Sequence, residues 1–401
     1  MPITTSVERN ITLLFALKAA KWFMLFMPVI VLFFMDNGLS VEQVMWTQTA
    51  YSLSVALFEM PSGYFSDKLG RRLTLILGML ITIMGYLVMS ASYSFWWFVG
   101  AEILMGLGGS FISGTDSAML YDTLLQLKRE NTYLKLEGRM YSIATFSEAV
   151  AAIFGGWIAA TFGMRMTVYA FIGCLVVGLV CAVRLVEPQV EKNQTTDNNT
   201  SIRDILRFTF LQNKMLRWYI ILSASIGTST LTMAWFTQPY MQGAGLSLTT
   251  IGWLWSALNL TVAVFAFGAY YVYRFLNKRQ IVILIVAGIV TGFGGLGWSY
   301  GIWGLIFIFL IYIVRGIATP VLKDFVNELT PSNMRATVLS IRGFVIRVIF
   351  SSLAPFLGWV SDVYTLQQAF SLAALVFGIL GSVSLLALII SSKTPPMPDA
   401  K

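Results

Sequence analysis

Apolar runs of about 20 residues follow one another almost without pause from residue 11 to residue 391. A helix of that length crosses the hydrocarbon of a bilayer, and in hydrocarbon only helices or closed barrels satisfy every backbone polar group. The pattern predicts twelve membrane helices, at roughly 11–35, 41–65, 73–92, 95–121, 138–161, 166–186, 215–241, 248–273, 280–300, 302–326, 335–360 and 365–391. Composition agrees, with 57% of the 401 residues hydrophobic and 11% charged, against about 25% charged in soluble domains. The expected fold class is an all-α membrane protein.

Residues 1–186 hold six runs and residues 214–392 hold six more. Between them, 187–213 is polar, with Glu191, Lys192 and an Asn/Thr-rich run at 194–200, and reads as a cytoplasmic linker. Within it, Arg203 and Arg207 lie four apart while Ile202, Leu206 and Phe210 share another face, the pattern of a short amphipathic helix on a membrane surface. Residues 393–401 form a Pro-rich tail, expected to be disordered. Six runs, a linker and six runs point to an internal duplication and two six-helix bundles. A weak echo supports it: Phe154-Gly155-Gly156-Trp157 against Phe356-Leu357-Gly358-Trp359.

The net charge of +8 would suit nucleic acid, but the cations sit in short loops between apolar runs, with no basic aromatic-interleaved domain. The loops at 36–40, 92–95, 241–248, 300–302 and 360–365 contain no Lys or Arg, and only Arg165 lies on their side. The positive-inside rule then puts both termini in the cytoplasm, in a bacterial-type inner membrane. The first run is too long for a cleaved signal peptide and shows no small-residue cleavage site. Cys174 and Cys181 are seven residues apart on one run, about 10 Å of helical rise, too far for a disulfide. Histidine is absent, which removes His metal sites and His proton switches. No metal or cofactor is expected.

A charge near the bilayer centre costs about 2.5–3.5 kcal/mol, so intramembrane charges mark function or tight pairing. At 1.5 Å per residue, Lys21, Glu148, Arg315 and Arg347 fall near the midplane and Glu102 somewhat to the outer side. Lys18 is one turn inward of Lys21 on the same face, and Asn259 is at similar depth. The structural alternative is permanent ion pairs, such as Lys21 with Glu148. Gly63 is expected to allow close helix contact and Gly70 a sharp turn, and glycines in the fourth run (Gly106, Gly108, Gly109) and the ninth (Gly292, Gly294, Gly295, Gly297) suit close helix packing.

The stretch Gly63-Tyr64-Phe65-Ser66-Asp67-Lys68-Leu69-Gly70-Arg71-Arg72, between the second and third runs, resembles the signature of the major facilitator superfamily. The twelve-run layout and central linker extend that resemblance over nearly the whole chain. It implies the major facilitator fold and a cytoplasmic latch of Gly63, Asp67, Gly70, Arg71, Arg72, Asp122 and Arg335. Asp67 would meet the start of the eleventh helix, where Arg335 and free amides favour an anion, and Arg71 would pair with Asp122. Glu59-Met60-Pro61-Ser62-Gly63, Ser113-Gly114-Thr115-Asp116 and Glu137-Gly138-Arg139-Met140-Tyr141-Ser142 resemble the drug/proton antiporter-like branch. Two departures stand out. Glu102 precedes Gly106 where exporters often have an arginine, and Ala151-Ala152 replace the Gly-Pro pair before Gly155-Gly156.

The expected activity is secondary active transport of a small organic solute by a monomeric carrier using alternating access. The resemblance weights it towards proton-coupled efflux of amphipathic compounds. Uptake or export of a specific anionic metabolite is the runner-up. Glu102 and Glu148, then Asp116, are the proton-site candidates, since burial among apolar helices favours a neutral carboxylate. Lys18, Lys21, Asn259, Arg315 and Arg347 are the substrate-site candidates. Protons, the cargo and the lipid bilayer are the expected partners; nucleic acid is not. An enzyme is disfavoured because no phosphate loop, His-metal cluster or nucleophile–base pair is present. A receptor would need a soluble module, and none is visible.

Overall fold

The computed structural model describes residues 3–189, 202–331 and 334–392. The polar run expected at 194–200 and the tail at 393–401 lie outside the described residues. Among those described, every regular element is helical. The helices are α1 (Ile3–Trp22), α2 (Ile30–Asp36), α3 (Val41–Leu69), α4 (Arg71–Ala91), α5 (Phe95–Ile112), α6 (Thr115–Gln126), α7 (Tyr133–Phe162) and α8 (Met164–Arg184). After the short α9 (Ile202–Arg207) come α10 (Lys214–Gly243), α11 (Leu248–Phe275), α12 (Lys278–Trp298), α13 (Leu305–Glu328), α14 (Arg335–Val363) and α15 (Leu366–Ser392).

Eleven helical segments among the described residues are long and apolar enough to cross a membrane. The twelfth expected span, α3, has the length at 29 residues. It is more polar than the rest because Thr47, Gln48, Thr49, Ser52 and Ser54 lie along it, all buried. Side-chain caps set several helix starts. Ser40 and Gln43 form a capping box at α3, and Asn277 and Gln280 form another at α12.

Two expected spans are interrupted. The first stops at Trp22, passes through a 3-10 turn at Met27–Val29 and resumes at Ile30. Pro28 in that turn has no N–H to continue a helical ladder. The Leu25 carbonyl in the gap lies so close to Gly155 of α7 that any side chain there would overlap it. The fourth span breaks at Gly114 (φ +78°), which separates α5 from α6.

Packing divides the chain into two compact units, Met1–Thr195 with Gly245–Asn259, and Thr196–Ala244 with Leu260–Lys401. The start of α11 belongs to the first unit through Gly252, where an added Cβ would lie 2.9 Å from the Gly156 Cα.

In the first unit α3 and α5 run side by side in the same direction. Gln48 donates to Glu102, Ser54 Oγ to the Ile103 carbonyl (2.8 Å) and Ser62 Oγ to the Ser110 carbonyl (2.9 Å), so residue numbers rise together. Between α4 and α5 the numbers run oppositely: Gly108 packs on Thr82, and Gly85 on Met105 and Ala101. Phe26, Tyr86 and Phe171 pack mutually, tilted or edge-on, at 4.9–5.1 Å between centroids. In the second unit α10 and α14 are parallel, because Ser223 meets Arg342 and Thr228 donates to the Ile346 carbonyl (3.2 Å). Gly292 of α12 accepts Ile311 of α13. The outer surface is apolar, with Trp298 87% and Phe267 84% exposed, a surface suited to lipid rather than water.

Candidate functional site

The first unit holds two separate polar features. In one, α1 meets α6: Lys18 Nζ lies 2.6 Å from Asp116 Oδ2, with the Asp116 side chain only 4% exposed. Asp116 stands in the first turn of α6, so its Oδ1 also accepts the Ser117 N–H at 2.8 Å. Ser117 Oγ in turn donates to Glu137 Oε1 of α7 at 2.6 Å. Lys21, one turn along α1 from Lys18, feels both Asp116 and Lys18 electrostatically. Lys18 and Lys21 thus act on Asp116, and Ser117 links that aspartate's helix turn to Glu137 of α7. Glu148 is half-buried further along α7.

The second feature is Glu102 on α5. It is buried, and Oε1 accepts a hydrogen bond from Gln48 Nε2 of α3 at 2.9 Å. No described cation lies within ion-pair distance of it. Asn259 stands on α11 with a buried Nδ2 that finds no described acceptor, and the Trp255 indole N–H one turn earlier is in the same condition.

In the second unit Arg315 of α13 and Arg342 of α14 line one recess with Ser223 and Thr230 of α10 and Thr319 of α13. The Arg342 Nε donates to Ser223 Oγ. Arg347 is half-buried, five residues further along α14, and does not line the recess.

The loop between α3 and α4 is held by charge-assisted bonds. Arg71 Nη1 lies 2.7 Å from Asp67 Oδ1 and donates to Ser66 Oγ at 2.9 Å, while its Nε lies 3.2 Å from Asp122 Oδ2 of α6. Glu187, just past α8, accepts the Arg71 and Arg72 backbone N–H groups at 2.6 and 2.7 Å. A carboxylate thereby caps the N-terminus of α4, where free amides and the helix dipole favour an anion. The Arg72 guanidinium donates to the Val183 carbonyl at 2.7 Å. Gly70 turns the chain at φ +93°, ψ 155°, a region open essentially to glycine alone. Gly63 does not provide the close helix contact expected of it: no described atom comes within 4 Å of where its Cβ would stand. Its neighbour Ser62 makes the contact with α5 instead. Arg335, at the start of α14, reaches the Asn327 and Thr330 carbonyls ending α13, at 3.4 and 3.5 Å.

The second unit repeats this device. Lys278 in the first turn of α12 bonds to Glu328 at the end of α13, which also accepts the Tyr273 hydroxyl at 2.9 Å. Lys278 and Glu328 are 50 residues apart; Arg71 and Asp122 are 51 apart. The loop after α11 lacks an aspartate matching Asp67, yet the basic-to-acidic tie is kept.

Sequence reasoning missed Gln48, Glu137, Glu187 and Arg342. Glu187 had a readable signal, an acid closing an apolar run and followed by Pro188. Arg342 had one too, seven residues and about two turns past Arg335. Gln48 and Glu137 had none, because their roles depend on which helix faces them.

Eleven apolar spans among the described residues, a paired loop device in each half and intramembrane ionic side chains define a multi-pass membrane carrier. A profile of the Major Facilitator Superfamily matches residues 11–355, and the chain belongs to that family. It is 24% identical over 320 residues to the hexuronate transporter of Bacillus subtilis, covering 73% of this chain and 74% of that one. It is also 24% identical over 253 residues to the bicyclomycin resistance protein homolog of Haemophilus influenzae, covering 61% and 59%. The chain matches from 24% to 74% of the length of such relatives. Among solved structures, a mutant of the nucleoside transporter NupG superposes with a TM-score of 0.79 at 13% identity, over 96% of this chain and all of that one. That likeness is one of fold.

Proposed function

We propose that the protein is a proton-coupled secondary carrier moving a small amphipathic organic solute out of the cell by alternating access of its two bundles. One observation carries the proton part: Glu102 is a buried carboxylate whose described partner is a neutral amide. A carboxylate with no cation to neutralise it can exchange a proton as the helices around it change their contact with water. Asp116 is the weaker candidate, because Lys18 already neutralises it. Glu148, near the same depth, is the second acid to test. Efflux is supported by the resistance protein homolog among the relatives. We further propose that the protein works as a monomer in a bacterial inner membrane with both termini in the cytoplasm, as the Lys/Arg-free loops imply. The latch role of Asp67, Arg71, Asp122 and Arg335 belongs to the same proposal.

A second reading, transport of a specific organic anion, is favoured by the Arg315–Arg342 recess and by the hexuronate transporter among the relatives. Purified protein in proteoliposomes, with and without an imposed pH gradient, tests the leading reading. Gradient-driven accumulation of cargo that persists when Glu102 and Glu148 are both changed to Gln would falsify the proton assignment.

A further inference from the structure

Two guanidinium groups enter one recess without a described carboxylate between them. The recess in the second unit is lined by Arg315, Arg342, Ser223, Thr230 and Thr319, and none of its lining residues is acidic. Neither arginine makes an ion pair with any described residue. Arg342 has one side-chain acceptor, the Ser223 hydroxyl, and Arg315 lies 5.9 Å from the Tyr312 ring, at the limit of a cation–π contact. Like charges gathered in membrane-spanning helices repel and are poorly solvated, so the arrangement calls for a counter-ion. The hydroxyls do not supply one. Thr319 Oγ1 already donates to the Arg315 carbonyl at 2.7 Å and Thr230 Oγ1 to the Gly227 carbonyl at 3.1 Å, which leaves them only lone pairs to offer.

We propose that this recess is an anion-binding site that takes the carboxylate or phosphate head of the carried solute. This deepens the second reading above, transport of an organic anion, and rests on it: the recess takes the anionic end of that cargo. Planar guanidinium forks match both oxyanions bidentately. Size sets how much of the cargo enters. The free space in the recess is about 20 Å³ for the centres of water-sized groups, room for about one or two such groups. It holds a head group, and the apolar remainder lies outside it. The threonine oxygens accept from a hydroxyl neighbouring the anionic group, which favours hydroxylated acids among such solutes.

Equilibrium binding to the full-length protein in phosphatidylcholine nanodiscs tests this without a proton gradient or transport. A failure here is therefore distinguishable from a failure of proton coupling. The probes are benzoate, phenyl phosphate and benzamide, the last nearly isosteric with benzoate but uncharged. Benzoate and phenyl phosphate bind at least about tenfold more tightly than benzamide. Arg315→Gln and Arg342→Gln each weaken benzoate by about tenfold or more, Arg342→Lys weakens it less because the charge survives without the fork, and Arg279→Gln, in the first turn of α12 and outside the recess, changes nothing. Should the Gln variants fail to fold, the Lys variants and the comparison of probes on the unaltered protein carry the test. Equal affinity for benzoate and benzamide, or unchanged benzoate binding in folded Arg315→Gln and Arg342→Gln proteins, overturns the site. Displacement of benzoate by phosphatidylglycerol added to the nanodisc would reassign the recess to a lipid head group and overturn the cargo assignment.

Discussion

Gln48 and Glu102 face each other across α3 and α5, amide nitrogen to carboxylate oxygen at 2.9 Å, in the interior of the first unit. The pair joins two neighbouring parallel helices, and no described cation lies within ion-pair distance of the acid. An amide is a modest partner: a hydrogen bond to a charged group contributes about 1.5–3 kcal/mol, comparable with the cost of an ion within the bilayer.

Glu102→Gln removes the ionisable group while keeping shape and hydrogen bonding. In proteoliposomes this variant should lose acceleration of net transport by a pH gradient yet retain solute-for-solute exchange. Glu102→Asp should keep part of the gradient response. Unchanged gradient dependence in the Gln variant would show that another group carries the proton.

Lys18 and Asp116 form a pair with Asp116 nearly inaccessible. Removing one partner strands the other, which costs about 3–5 kcal/mol. Lys18→Met or Asp116→Asn alone should lower the thermal unfolding midpoint in detergent clearly, whereas Lys18→Met with Asp116→Leu should recover most of the loss. Additive losses in the double variant would mean the two do not act on each other.

At the α3–α4 loop, Glu187→Ala removes the acceptor for two backbone amides and should cost about 1 kcal/mol, within the range for lost helix caps. Gly70→Ala should cost about 1–3 kcal/mol from backbone strain, and its Cβ would also meet the Glu187 carboxylate at 3.0 Å. Thermal unfolding of Gly70→Ala in the Glu187→Ala background separates the two causes: strain persists there, crowding does not.

The matching ties in the two halves should differ in strength. Lys278 and Glu328 are 44% and 40% exposed, while Arg71 and Asp122 are 21% and 25% exposed. Lys278→Ala should change stability by under about 1 kcal/mol and less at high salt. Arg71→Ala, which releases Ser66, Asp67 and Asp122 together, should cost more and respond less to salt. Equal losses with equal salt response would remove the distinction drawn from exposure.

Gly155 packs against the Leu25 carbonyl and Gly138 faces open space on the same helix. Gly155→Ala should lower the yield of folded protein sharply, and Gly138→Ala should leave it unchanged, as read by monodispersity in detergent. Comparable yields would imply that the break between α1 and α2 shifts freely.

Much of the plan was legible in the chain. The succession of apolar runs marked the helices, and the stretch from Gly63 to Arg72 placed the basic loop and named Asp122 as a partner of Arg71. The interruption at Leu25 was not legible in hydropathy, because residues 22–31 are apolar throughout; at Gly114 the chain turns polar over 113–117, which by itself does not tell a helix break from a polar helix face. Gly63 was misread because a glycine on a helix shows where close approach is allowed, not which neighbour uses it.

By itself the sequence determined that the chain is helical, crosses a membrane many times and repeats its plan, since hydrocarbon demands long apolar segments with their backbone bonds closed internally. Only tertiary structure decided that Lys18 meets Asp116 ninety-eight residues away, that Gln48 holds Glu102, and that Arg342 joins Arg315 in one recess. Lipid tails are as apolar as leucine, so hydropathy does not tell a lipid-facing side from a protein-facing one. The rotation of each helix about its axis is set by packing, and those rotations bring the ionic groups together.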